Sequence, residues 1–75
     1  MKPENVININ PNILGGTPVF MGTRVPIETL FDHLENGISI TQFLEDFPSV
    51  SREQVIAVIE IAGKILSSQN INILY

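Results

Sequence analysis

The residues whose types and spacing could do chemistry fall into two small groups. Ser51, Arg52 and Gln54 open a helical stretch. Arginine and glutamine at a helix N-terminus are suited to guanine and adenine edges in a major groove, and a neighbouring serine can add a contact. Glu28, Asp32 and Glu35 are spaced four and then three apart, which puts them on one face of a helix. Such a face suits docking to a basic protein partner. Neither group is catalytic. There is one histidine, His33, and no cysteine, and no set of carboxylates, imidazoles or thiols converges by spacing on a nucleophile or a metal. Neither Walker-type nor dinucleotide-type glycine spacing occurs around Gly15, Gly16 and Gly22. The expectation is a chain that is not an enzyme and takes no metal and no cofactor.

Three amphipathic helices must position these groups. The first spans about 26–36, with Ile27, Leu30, Phe31 and Leu34 at core spacing and Gly37 as its stop. Its outer face carries the acidic trio. Arg24, four residues before Glu28, is placed to pair with it, and His33 is expected to be exposed near the C-terminal dipole. The second helix, about 39–47, opens on Ser39 and Gln42 in capping-box spacing and ends at Pro48; Ser51 and Gln54 repeat that box to open the third near 52. Before the helices, residues 6–9 and 18–21 are β-branched or aromatic runs expected to pair after a chain reversal at Gly15-Gly16, and Gly22-Thr23 offers a turn that would fold 18–21 back on Arg24-Val25 as a small hairpin. The fold class is therefore mainly α: a three-helix, helix-turn-helix-like domain preceded by a short N-terminal β-hairpin.

The third helix is apolar on more than one side. Val55, Ile59, Ala62 and Leu66 form one stripe, and Val58, Ile61 and Ile65 form another. A chain of 75 residues has little with which to cover both. An intermolecular interface through Val58, Ile61, Ile65, Ile73 and Tyr75 is expected, most simply a homodimer. The tail over 67–75 ends in an apolar run that could form a terminal strand.

Length and composition narrow the class further. Residues 1–75 make a single domain. The net charge is −4, with four basic residues, which disfavours strong backbone binding to nucleic acid and suits a basic protein partner. No membrane-spanning run or signal-peptide core is legible, so a cytoplasmic protein is expected.

The ordered motifs Gly15-Gly16-Thr17-Pro18-Val19, Gly22-Thr23-Arg24-Val25-Pro26, Gly37-Ile38-Ser39 and Phe47-Pro48 resemble the bacterial family known as domain of unknown function 433, over about residues 6–62. That resemblance implies a small homeodomain-like helix-turn-helix fold. It also implies an antitoxin encoded beside a small nuclease of the PIN-like type. Two partners thus compete on sequence grounds: a nuclease toxin, bound through Glu28, Asp32 and Glu35, and DNA, contacted through Ser51, Arg52 and Gln54.

Overall fold

A computed structural model describes residues 1–68; Ile73, Tyr75 and the terminal strand expected of the tail lie outside the described residues. The chain begins with a one-turn helix α1 (Pro3–Val6), followed by strand β1 (Ile7–Asn8), a 3₁₀ turn (Leu14–Gly16) and strand β2 (Val19–Phe20). Three longer helices complete it: α2 (Ile27–Glu35), α3 (Ile40–Asp46) and α4 (Arg52–Leu66). The architecture is mainly helical with one short antiparallel pair, as the sequence pattern predicts.

The strands pair in the register Ile7↔Phe20 and Asn8↔Val19. They are shorter than the expected 6–9 and 18–21 because Val6 belongs to a helical turn started by Pro3, whose missing N–H costs nothing at a first helical position. The long connection between the strands bends at Gly15 and Gly16, which have φ of +66° and +91°, a region that side chains with a Cβ rarely adopt. Beyond β2 the chain turns back on itself. The Phe20 N–H donates to the Val25 carbonyl at 3.0 Å, and Val19 forms a bridge with Pro26. Thr23 locks this turn from inside. Its hydroxyl donates to the Phe20 carbonyl at 2.8 Å and accepts from the Val25 N–H at 3.0 Å, which satisfies a buried polar group locally.

Each helix boundary has a visible cause. Pro26 precedes α2, and Gly37, at φ +74°, ends it, with the Ile38 N–H reaching back to the His33 carbonyl. Ser39 caps α3 by accepting from the Gln42 N–H. Only half of the expected box forms there, because the Gln42 side chain donates instead to Asp46. At α4 the box is complete: Ser51 Oγ accepts from the Gln54 N–H at 3.1 Å, and the Gln54 side chain accepts from the Ser51 N–H at 3.0 Å.

The core draws on β2 and all four α-helices. Val6, Phe20, Leu30, Phe43, Val50, Val55, Ala57 and Val58 are buried together. Phe43 is central: its ring lies 6.1 Å from Phe20 and 5.0 Å from Phe47, and it is fully buried. A domain of this size has a net stability of roughly 4–11 kcal/mol. Phe43→Ala is expected to cost about 3–5 kcal/mol, and urea unfolding followed by far-ultraviolet circular dichroism should show the midpoint collapse or the transition disappear.

Candidate functional site

Gln54 does structural work on both ends of its amide. Beyond closing the capping box, its Nε2 donates to the Met21 carbonyl at 3.0 Å, tying the start of α4 to the turn after β2. Ser51 is consumed by the same box. Both side chains are thus engaged in holding the start of α4 in place. Arg52 is exposed and donates to the Thr41 hydroxyl at 3.1 Å. Of the three, it alone points a charged group outward.

Glu28, Asp32 and Glu35 are all exposed on the outer side of α2. The opposite side of that helix carries Leu30, which is buried, and Ile27, Phe31 and Leu34, which pack partly against the core. Among the described residues none of the three carboxylates has an ion-pair partner, and the expected Arg24–Glu28 pair is not formed. The result is an uncompensated acidic face held on a rigid helix.

His33 is not the exposed residue its position predicts. Its side chain is 18% exposed, and the ring stands edge-on to Phe43 at 5.3 Å and to Phe47 at 5.6 Å. Nδ1 donates to the Thr29 carbonyl at 2.9 Å, since a carbonyl oxygen can only accept. Nε2 lies 3.4 Å from Asp46 Oδ2, whose other oxygen accepts from Gln42. Every partner is internal, and the group clasps α2 to α3. Among the described residues no cluster of three or more potential ligands could hold a metal ion.

The apolar surface of α4 divides differently from the expected interface. Val58 is 3% exposed and belongs to the chain's own core, so its side chain is not available to a partner; Ile61 is half-buried, and Ile65 is exposed. Two residues outside the expected set, Ile56 and Leu66, are 42% and 59% exposed. Ile56 lies in an open groove of about 580 Å³ lined also by Met1, Arg52, Glu53, Ala57 and Glu60. The signal that could have found them is their 3-4-3 spacing with Ile59 and Gly63. No described helix is long and apolar enough to cross a membrane.

Because Gln54 bridges two elements, Gln54→Ala should destabilise the fold by about 1–2 kcal/mol, lowering the melting temperature by about 5–10 °C. Arg52→Ala, which removes one exposed hydrogen bond, should shift it far less. Thermal unfolding of the two variants side by side checks this division of roles.

The family model described as "Protein of unknown function (DUF433)" matches residues 7–62. The chain is also 40% identical over 52 residues to "Uncharacterized protein y4eO" of Sinorhizobium fredii, a match that covers 69% of this chain and 24% of that protein. The chain therefore spans about a quarter of that relative's length. No solved structure matches it. The ordered glycine and proline motifs, the helices they delimit and the family match over three quarters of the sequence agree: this chain belongs to the DUF433 family.

Proposed function

We propose that the chain is an antitoxin-like binding protein of the cytoplasm that neutralises a small PIN-like nuclease. One observation carries the reading: Glu28, Asp32 and Glu35 stand exposed and without ion-pair partners among the described residues, in a chain of net charge −4. A nuclease holds its substrate in a positively charged groove. A rigid row of carboxylates can occupy such a groove in place of phosphates, and long-range attraction speeds the encounter. The identity of the partner comes from the family resemblance; the acidic face supplies the chemistry of contact.

The alternative is a helix-turn-helix regulator that binds DNA. It rests on Arg52, exposed at the start of α4. With Ser51 and Gln54 engaged in the cap and four basic residues in the chain, little remains to grip a phosphate backbone. The acidic-face reading is therefore preferred.

A tagged pull-down from nuclease-treated native cytosol, read by mass spectrometry, tests the proposal. A small PIN-like nuclease recovered at near-equal stoichiometry is the expected result, and recovery of the chain alone overturns it. Replacing Glu28, Asp32 and Glu35 together by Lys should then weaken that complex by about a hundredfold in calorimetric titration, with a diminished salt dependence. For the alternative, a gel shift on the gene's own upstream DNA at low salt should show no band that Arg52→Ala abolishes.

A further inference from the structure

We propose that His33 is a proton-operated fastener: taking up a second ring proton tightens the junction of α2 with α3. The surroundings of the ring carry the inference. Nδ1 lies 2.9 Å from the Thr29 carbonyl, and Nε2 lies 3.4 Å from Asp46 Oδ2. Both oxygens can only accept, since one is a carbonyl and the other belongs to a carboxylate. The second oxygen of Asp46 already accepts from the Gln42 amide, which holds the carboxylate in place beside the ring.

A neutral imidazole has one N–H, so it serves one of these oxygens and turns a lone pair toward the other. With the proton on Nδ1, the bond to Thr29 forms and the Nε2 lone pair faces the carboxylate across 3.4 Å. With the proton on Nε2, a lone pair meets the Thr29 carbonyl at 2.9 Å, which is worse. The doubly protonated ring brings two donors to two acceptors, and its charge faces an ionised partner. The separation of 3.4 Å exceeds the roughly 2.7–2.9 Å of a charge-assisted bond. The contact therefore has room to shorten when the ring becomes charged.

The ring has little else to bond with. It is largely buried, and Phe43 and Phe47 stand edge-on against it, so water reaches only part of it. Asp32 and Glu35 on α2 and Glu45 on α3 are exposed, and none lies within ion-pair distance of the ring. Asp46 is the charged group that answers to His33, and the pair joins α2 to α3. The inference is independent of the nuclease reading and needs no partner. Linkage fixes the sign. The second proton gains an acceptor in the folded chain that the unfolded chain does not offer. Its contribution is present in mildly acid solution and lost as pH rises and the ring gives the proton up.

Thermal unfolding of the full chain, His33→Gln and Asp46→Asn at about pH 6 and about pH 8.5 tests this. Ordinary histidines titrate between these values and carboxylates below them. The margin of the parent's melting temperature over that of His33→Gln should be about 3–6 °C larger at the acid pH. His33 is the one histidine of the chain, and every other titrating group is common to the parent and this variant. Asp46→Asn keeps an acceptor for Gln42 and offers the ring an amide N–H in place of a charge, so it should remove the acid gain. The Asp46 side chain is 44% exposed, so this variant decides the matter if His33→Gln fails to fold. Ring-nitrogen NMR of the parent at the alkaline pH should find the neutral ring protonated on Nδ1. A margin equal at both pH values or larger at the alkaline one, an acid gain that survives Asp46→Asn, or a neutral ring protonated on Nε2 would overturn the proposal.

Discussion

A fifteen-residue helix is about 22 Å long, and the described elements around α4 bury residues of its first half only. The fold is governed by that mismatch. The fully or nearly buried residues of α4, Val55, Ala57 and Val58, all lie in its first half, where the α1 turn, the strand pair, α2 and α3 gather against it. From Gly63 onward every described residue is exposed. The first half of the helix is the keel of the domain, and the second half extends from it with apolar residues, Ile65 and Leu66, that no described element covers.

Scarcity of core is offset by polar locks of unusual economy. Thr23 satisfies its own turn, Gln54 serves a helix cap and a distant carbonyl at once, and His33 bonds Thr29 and faces Asp46 while packing against two phenylalanines. No buried side-chain polar atom is left without a partner among the described residues. In a longer protein a lone histidine beside a carboxylate invites a catalytic interpretation. Here the same atoms act as fasteners between short elements, since one well-placed hydrogen bond is a sizeable share of a small domain's stability.

Much of the fold was legible because its determinants are local. Gly37, Ser39, Pro48 and the Ser51–Gln54 box mark helix ends within one or two residues, and the core positions of α2 follow from periodicity. The pairing of the two strand segments was legible from the β-branched runs on either side of Gly15-Gly16. What escaped depends on contacts between distant residues. The inward placement of His33 requires α3 to bring Phe43 and Phe47 against it. The tie from Gln54 to the Met21 carbonyl spans 33 residues. The allocation of α4's apolar residues also could not be read from periodicity, because a helix with two apolar stripes does not say which one its own chain will claim. Val58 went to the core, and Ile56 and Leu66 stayed outside.

The one-turn helix at the start of the chain has a bearing on where the folding unit begins. Val6 is fully buried, and its carbonyl accepts the Met21 N–H at 2.8 Å. It lies just before the segment, residues 7–62, over which the family pattern is recognised. The recognised pattern is thus narrower than the cooperative unit. A fragment trimmed to the matched residues would lose a core side chain at one end and the last turn of α4 at the other. The boundary of a family, drawn by similarity, and the boundary of a domain, drawn by burial, fall in different places in this protein.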